Sequence, residues 1–300
     1  MKTILPQTIG FIGLGAMGAP MARSLAQAGY VLRVFDVRSD VAKTFADETG
    51  ATAVATAALC VDGADLAITI VPNSDIVQQI CLGTDGISSA AVKPRLLIEM
   101  TSGVPDITVE LGDRLSKYGV AVIDAPVSGG VARAVSADLA IMVGGSDKDV
   151  ELATPVLQVI GKTITHVGPL GAGQAVKALN NLASATGLLI ASEAVWVARK
   201  FGLDPERVVD VFNNSSGMNN STKNKFKPFI LSETYASGFS LDLMVKDLRI
   251  AVGLSESLGA EVPLAVACLA QWEEALLQLG PGHDHTEVAK VSAERVGIPT

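Results

Sequence analysis

The chain has 300 residues, 49% of them hydrophobic, and a formal net charge of −8. Its mean hydropathy is +0.40 and its sequence pI is about 4.9. Such a length and apolar content predict one or two well-packed globular domains. The acidic balance, with no basic patch, argues against nucleic acid as a partner.

Three features bear on where the protein works. Its three cysteines (Cys60, Cys81 and Cys268) are scattered, give no zinc or disulfide spacing, and favour a reducing compartment. The N-terminal residues lack the apolar core of a signal peptide, so we expect a cytoplasmic location. The most apolar stretch, residues 182–198, includes Ser192 and Glu193, which favours a buried helix over a membrane span.

The first predicted element is a strand, Thr8 to Ile12, followed by a G-x-G-x-x-G turn and a helical pattern from Pro20. In this setting the glycines allow a tight turn, close approach of a pyrophosphate and close packing of helix on strand. The helix N-terminus offers unpaired N–H groups to the phosphates. The candidate cofactor residues of this turn are Gly13, Leu14, Gly15, Ala16, Met17 and Gly18.

The second predicted strand runs from Tyr30 to Phe35 and is followed by Asp36. An acid at this point suits the ribose hydroxyls of NAD and would repel the extra phosphate of NADP. Arg38 is a complication, because a nearby arginine can accommodate that phosphate. We predict NAD, with NADP as the weaker option. The alternative is that Asp36 only caps the next helix.

Strand-like and helical runs alternate up to about residue 168, and only helical patterns follow. The further strand-like runs are 65–71, 95–99, 120–123 and 139–143, several of them continuously apolar. Such alternation predicts a doubly wound, mostly parallel α/β sheet covered on both faces. We therefore predict an N-terminal Rossmann domain at 1–168 and an all-helical domain at 169–300 for substrate binding and dimerisation.

Loops after parallel strands meet at one edge of a sheet, where ligands bind. Val71 and Pro72 leave one predicted strand, and Thr101 leaves another; we predict that all three contact the cofactor. Simple N-capping is the alternative for Thr101. Ser128, Gly129 and Gly130 form a third such loop, whose hydroxyl and N–H groups could bind a carboxylate. An ordinary glycine-rich turn is the alternative there.

The stretch from Val167 to Asn181 places Lys177 and two asparagines on a long, mostly apolar helix. Residues three or four apart share a helix face, so Gly173, Lys177 and Asn181 line up, with Ser184 beyond them. An ammonium on an apolar face is costly to bury unless it is used or paired. We expect the glycines about one turn before Lys177 to leave room for another molecule. Lys177 is then a catalytic candidate beside a substrate-holding Asn181; a solvated lysine at a helix entry is the alternative.

Three features of the second half are more ambiguous. Lys246 could approach the cofactor, or it could pair with Asp242 four residues earlier. The polar stretch 213–222 could favour a polar acid, or it could be a helix-ending turn with its caps. Alternate residues His283 and His285 superficially suggest a metal, but nothing else supports one, and we predict none.

Together these blocks resemble the β-hydroxyacid dehydrogenase family, to which 3-hydroxyisobutyrate dehydrogenase belongs. The resemblance covers essentially the whole chain and is carried by four blocks in order. These are 13–18 with Met21-Ala22, 124–130 continuing to 142–145, 168–181, and 246–248. The third block, with its Gly171-x-Gly173-x-x-x-Lys177-x-x-Asn180-Asn181 spacing, is the most specific.

The resemblance implies a dehydrogenase with its active site in a cleft between the two domains. Lys177 would be the general acid/base and Asn181 would hold the substrate or align the lysine. Ser128, Gly129 and Gly130 would bind the substrate carboxylate, and Thr101 and Lys246 the cofactor. The implied substrate is a small hydroxy acid or semialdehyde. A homodimer or homotetramer is expected, with no nucleic acid or membrane partner.

The chain departs from the family pattern at Ala137, Asp138 and His285. Ala137 replaces a frequent glycine and would be strained if that position needs positive φ. Two rival functions remain open: an imine reductase, whose relatives usually lack this lysine, and a non-catalytic NAD-binding sensor. The sensor would need the glycines and Asp36 but not Lys177, Asn181 and Ser128 together.

Overall fold

The computed structural model describes residues 8–298. By internal contacts these described residues divide into two compact units, residues 8–177 and 178–298. The predicted boundary at 168/169 lies shortly before this division, and both lie near the start of one long helix. The two units are described in turn below and are called the nucleotide-binding unit and the helical unit.

The nucleotide-binding unit contains one sheet. Its strands are β1 (Thr8–Ile12), β2 (Val31–Phe35), β3 (Thr52–Ala53), β4 (Leu66–Thr69), β5 (Leu96–Glu99), β6 (Ala121–Asp124), β7 (Val127–Ser128), β8 (Leu139–Gly144) and β9 (Gly161–Gly168). The spatial order is β3-β2-β1-β4-β5-β6-β8-β7, and β9 pairs with β8. Strands β1 to β6 pair in parallel, whereas β8 runs antiparallel to both β6 and β7. The predicted mostly parallel α/β sheet is confirmed.

Helices connect these strands. They are α1 (Gly18–Gln27), α2 (Ser39–Thr49), α3 (Ala57–Val61), α4 (Ser74–Leu82), α5 (Pro105–Ser116), α6 (Gly130–Val135) and α7 (Asp147–Ile160). Every residue of β4 and β5 is buried, as expected for apolar strands covered on both faces. Helix starts follow local chemistry: the Asn73 side chain accepts from the Ile76 N–H at α4, and Pro105 occupies the first turn of α5.

The helical unit is built around the long helix α8 (Ala172–Lys200), which begins in the nucleotide-binding unit. The remaining helices are α9 (Pro205–Asn213), α10 (Asn220–Asn224), α11 (Leu241–Ser257), α12 (Pro263–Leu279) and α13 (Val288–Val296), with short helical turns at Phe226–Leu231 and His285–Glu287. Among the described residues of this unit the strand pairing is one isolated bridge, Ser240 to Asp284. The all-helical prediction is therefore confirmed.

By length and composition, α8 is the one described helix that could cross a membrane. The core helix of a soluble protein passes the same test. Its residues Ala185, Leu188 and Val195 are fully buried in the hydrophobic core of the helical unit, together with Trp272 and Phe226. We therefore interpret α8 as a core helix.

The three cysteines are buried thiols. Cys60 and Cys81 lie in the core of the nucleotide-binding unit with no exposed surface, and Cys268 lies in the helical unit with 4% exposed. Burial raises the pKa of the Cys60 thiol to about 12 and also raises the pKa values of Cys81 and Cys268. Since the thiolate is the nucleophile, these groups are chemically quiet in the folded protein.

Candidate active site

The three glycines of the turn between β1 and α1 have different roles. Gly13 has φ +99, and a Cβ there would collide with the carbonyl oxygen of Ile70. A Cβ on Gly18 would collide with the carbonyl oxygen of Gly13. Gly15 has open space around it, because no described atom beyond Gly15 and its two chain neighbours lies within 4 Å of the point that a Cβ would occupy. Gly13 and Gly18 therefore shape the turn, and Gly15 leaves the approach open for a phosphate.

The start of α1 is suited to an anion. The first turn of this ten-residue helix carries no acidic residue and its N-cap, Met17, makes no side-chain capping bond. Leu14 is buried within the turn, whereas Gly15 and Ala16 are exposed. Unpaired N–H groups and the positive end of the helix dipole both favour a pyrophosphate at this position.

Asp36 lies after β2 with 8% of its surface exposed. Its Oδ2 accepts from the Leu14 N–H at 2.8 Å, and its Oδ1 accepts from the Arg38 N–H at 2.9 Å. The carboxylate therefore ties the tip of β2 to the glycine turn. Helix α2 begins after Arg38 without a side-chain cap, so Asp36 is not the N-cap of that helix.

Thr101 and Val71, two predicted cofactor residues from neighbouring strands, contact each other. The Thr101 hydroxyl accepts from the Val71 N–H at 3.1 Å, and Thr101 has 1% of its surface exposed. Pro72 follows Val71 at the same edge of the sheet. Thr101 does not cap α5, whose N-cap is Val104. Its hydroxyl instead fixes the loop that follows β4.

Two buried carboxylates hold the beginning of α8 against the sheet. Asp124 Oδ1 accepts from the Gly171 N–H and its Oδ2 from the Gln174 N–H, each at 2.7 Å. Glu99 accepts from the Thr101 N–H at 2.7 Å and from the Gln174 side-chain amide. Burial raises the pKa of Asp124 and raises the pKa of Glu99 to about 8. Sequence reasoning missed Glu99 and Gln174, which no motif distinguishes.

Gly173 packs against the sheet and not against a ligand. A Cβ there would collide with the carbonyl oxygen of Met142 and would lie 2.8 Å from Asp124 Oδ2. The expectation that the glycines before Lys177 leave room for another molecule is therefore wrong for Gly173. Because Gly173 has no side chain, α8 can begin directly against the ends of the strands. This contact sets the position of the next turn of the helix.

Lys177 is one turn further along α8, with 8% of its surface exposed. The alternative of a solvated lysine is therefore wrong. Asn181 follows after four residues, with 7% exposed, so helical spacing places both side chains on the same face of α8.

Asn181 is anchored within the helical unit. Its Nδ2 donates to Asp247 Oδ2 at 2.6 Å, and Asp247 Oδ1 lies 3.5 Å from the ammonium nitrogen of Lys246. Asp247 is 2% exposed, whereas the Lys246 side chain is 27% exposed. Asp242, considered above as a partner of Lys246, accepts from the Gly282 N–H at 3.1 Å. Asp247 is thus a residue that orients Asn181 and Lys246, and sequence reasoning had not assigned it a role.

The predicted carboxylate loop has an unusual backbone. Ser128 ends β7, Gly129 has φ +134 and Gly130, the first residue of α6, has φ +69. A Cβ on Gly129 would lie 2.7 Å from the Arg133 side chain, whereas Gly130 faces open space. Both glycines adopt left-handed φ values that other residues disfavour.

The departures after this loop have structural consequences. Ala137 has φ 53, so the strain anticipated for a non-glycine residue is present. Asp138 accepts from Arg133 Nε through its carbonyl at 2.6 Å, and its carboxylate lies 3.6 Å from Arg133 and 3.7 Å from Lys162. These partly exposed ion pairs contribute little stability, but they connect α6 to β9.

Two family models match the chain. The NAD-binding domain of 6-phosphogluconate dehydrogenase matches residues 8–168, and the NAD-binding domain of NADP-dependent 3-hydroxyisobutyrate dehydrogenase matches residues 171–292. The chain is 37% identical to 2-(hydroxymethyl)glutarate dehydrogenase of Eubacterium barkeri, over 97% of this chain and 96% of that one. It is 34% identical to NAD-dependent L-serine dehydrogenase of Pseudomonas aeruginosa, over 94% and 97% of the two chains.

Solved structures agree with these matches. The structure of Mycobacterium tuberculosis 3-hydroxyisobutyrate dehydrogenase with L-serine has a TM-score of 0.87 and 32% identity, covering 96% of this chain and 99% of that one. An imine reductase from Myxococcus stipitatus has a TM-score of 0.65 at 19% identity, over 96% and 99% of the two chains. The second likeness concerns the fold alone.

Proposed function

The chain belongs to the β-hydroxyacid dehydrogenase family, and we propose that it transfers a hydride between NAD and the alcohol carbon of a small 3-hydroxy carboxylic acid, or the corresponding semialdehyde. As a family member it is an oxidoreductase that acts on CH–OH with NAD(P). The burial of Lys177 on the same helix face as Asn181 is the observation that carries the proposal.

The residues of the glycine turn fit a dinucleotide. Gly15 leaves space for the pyrophosphate, the first turn of α1 carries no acid, and Asp36 is held beside Leu14. When bound, NAD(P) supplies the hydride acceptor or donor. The remaining work of the protein is to bind the acid, orient its hydroxyl and move one proton.

We assign the proton transfer to Lys177. The alcohol must lose its hydroxyl proton as the carbon–oxygen double bond forms, and a neutral amine held close to the hydroxyl would accept that proton. In the reverse direction the ammonium returns it to the carbonyl oxygen. Asn181, fixed by Asp247, would hold the same oxygen through its amide, and Ser128, Gly129 and Gly130 would bind the carboxylate.

We propose NAD as the preferred cofactor because of Asp36. A buried carboxylate at the tip of β2 suits two ribose hydroxyls and repels a 2′-phosphate. Arg38 lies on the solvent side, with its Nε 3.4 Å from Asp36 Oδ1. Because that guanidinium already faces the carboxylate, it is a weaker attraction for a phosphate than an unpaired arginine would be. The cytoplasmic location and the homo-oligomeric state stay predictions.

The test is a substrate panel with a lysine variant. Purified protein is assayed with 3-hydroxyisobutyrate, L-serine and 2-(hydroxymethyl)glutarate, each with NAD and with NADP, by absorbance of the reduced nicotinamide. We expect turnover of at least one hydroxy acid, with a higher kcat/KM for NAD. Lys177→Met should lower kcat by about 10²- to 10⁴-fold, the usual range for removal of an acid/base group, while NADH binding measured by fluorescence persists.

Lys148→Met, on the exposed surface of α7, is the matched control and should keep full activity. Near-normal turnover by Lys177→Met would refute the role of Lys177. NADH binding without turnover of any acid or semialdehyde would favour the sensor interpretation instead.

A further inference from the structure

Lys225, in the helical unit, has an unusual environment for a lysine. Lys225 follows α10, and its ammonium nitrogen lies 2.9 Å from His285 Nε2 and 3.5 Å from the Ser184 hydroxyl. Lys225 is partly buried. Its position is fixed because Asn219, the N-cap of α10, donates from Nδ2 to the Gly187 carbonyl on α8 at 3.1 Å.

The partners of this ammonium are neutral. Burial, followed by the charge of Lys225, lowers the pKa of His285 to about 4, so the imidazole is uncharged near neutral pH. The bonding pattern then assigns the tautomer: Nε2 accepts from Lys225, and Nδ1 donates to the Phe239 carbonyl at 3.0 Å. Burial also lowers the pKa of Lys225 to about 8, which leaves it mostly protonated at pH 7.

The charge of Lys225 lacks a carboxylate in direct contact: among residues 8–298, no carboxylate oxygen lies within 4 Å of its nitrogen. The Asp284 carboxylate interacts at longer range and is itself satisfied by Ser237, by Thr286 and by the Gly238 N–H. A partly buried cation with neutral partners is costly, and an anionic ligand would offset that cost.

Helical spacing relates this cation to the proposed substrate residue Asn181. Ser184 follows Asn181 by three residues on α8, so it lies on the same face and about 4.5 Å further along the helix axis. The ammonium of Lys225 is therefore positioned about one helical turn beyond Asn181, on the side away from Lys177 along the helix. A substrate held by Asn181 at its reacting end would extend its far end along this face.

We propose that Lys225, together with the Ser184 hydroxyl, binds a second carboxylate of the substrate, so that the preferred substrates are 3-hydroxy acids with a distal acidic group. This inference rests on the function proposed above. His285 is a positioning residue, since it is 3% exposed and holds Lys225 through Nε2. A site built with a buried charge discriminates strongly against an analogue that lacks the matching group.

The kinetic test compares two substrates that differ at the far end, 2-(hydroxymethyl)glutarate and 3-hydroxyisobutyrate, in wild-type protein and three variants. Lys225→Met should lower kcat/KM for the dicarboxylate by about 10- to 100-fold, mainly through KM, as expected for loss of one charge-assisted contact. The value for the monocarboxylate should change by less than about threefold. Lys225→Arg should retain part of the preference, and Lys223→Met, exposed on α10, should leave both values unchanged.

A binding measurement separates this inference from the proposed function. Calorimetry with NADH-loaded protein is carried out with glutarate and with butyrate, neither of which carries a reacting hydroxyl. Glutarate should bind more tightly than butyrate to the wild type, and Lys225→Met should remove that difference. Retained thermal unfolding temperature and NADH binding would show that the variant is folded.

The outcomes are distinct. Equal losses on both substrates in Lys225→Met would make Lys225 structural and overturn the inference, as would a wild type with no preference for the dicarboxylate. If hydroxy acids are oxidised but glutarate and butyrate bind alike, only this inference fails. If glutarate binds through Lys225 and no hydroxy acid is oxidised, the proposed function fails and the anion site stands.

Discussion

The nucleotide-binding unit buries two acidic side chains, whereas the helical unit partly buries a basic one. Glu99 and Asp124 accept hydrogen bonds from N–H groups of their own unit, so each carboxylate is satisfied by the chain. Lys225 contacts a hydroxyl and a neutral imidazole instead. The contrast teaches that a buried titratable group whose hydrogen bonds are satisfied within the chain holds structure together, whereas a partly buried cation with neutral partners is a candidate for a ligand.

Asp124→Ala should give the largest effect on stability. The variant leaves the Gly171 and Gln174 N–H groups at the start of α8 without their acceptor, and each unsatisfied buried donor costs about 1–3 kcal/mol. We expect the free energy of unfolding to fall by about 2–6 kcal/mol, measured by urea denaturation, and amide exchange at Gly171 and Gln174 to accelerate. Asp113→Ala, on the exposed side of α5, is the control; equal effects in the two variants would contradict the tethering role.

Glu99→Gln should change how stability depends on pH. The folded pKa of Glu99 is raised to about 8 from 4.5, so the unfolded chain ionises first and stability falls as pH rises through this window. The slope from one such group is on the order of 1 kcal/mol per pH unit. Denaturation of wild type and variant at several pH values should give a difference that grows in favour of Glu99→Gln up to about pH 8. A difference that is constant with pH would show that Glu99 is ionised in the folded protein.

His285→Gln should produce the smaller effect, of the opposite sign. The pKa of His285 is lowered from 6.5 to about 4 in the folded protein, so the unfolded chain takes up a proton first as the pH falls. The free energy of unfolding is therefore not reduced by this group above pH 6.5, and it decreases as the pH falls towards 4. Glutamine can still accept a bond from Lys225 but cannot titrate. Denaturation of both proteins across this window should show a shallower acid loss in the variant. Parallel curves for wild type and His285→Gln would sink the assignment.

These two slopes overlap between about pH 4.5 and 6.5 and oppose each other there. A stability profile of the wild type alone would therefore be flattened in that range. The contributions of Glu99 and His285 are separated by subtracting the unfolding free energy of the wild type from that of each variant at the same pH.

Much of the fold could be predicted from local pattern. The continuous apolar runs at β4 and β5 and the glycine turn before α1 are signals within a few residues of sequence. Three strands gave weaker signals: β3 and β7 have two residues each, and β9 has an exposed, largely polar sequence. The antiparallel direction of β8 depends on its pairing with β6, which no local pattern specifies.

The candidate site shows the same limit. The glycines, Asp36 and the Lys177–Asn181 spacing were found because each is a local motif. The bond from Asn181 to Asp247 joins residues 66 apart, and that from Lys225 to His285 joins residues 60 apart. Lys225 lies in an ordinary polar segment, and its partly buried environment comes from contacts with Ser184 and His285, which are distant in sequence.

The buried cysteines can report local opening of each unit separately. Cys60 and Cys81 are shielded in the nucleotide-binding unit and Cys268 in the helical unit, so a maleimide can label each only when its surroundings fluctuate apart. Mass spectrometry of the labelled peptides would then compare the labelling rates of the two units in the same sample. The native cysteines can therefore show which unit opens first, without any engineered probe.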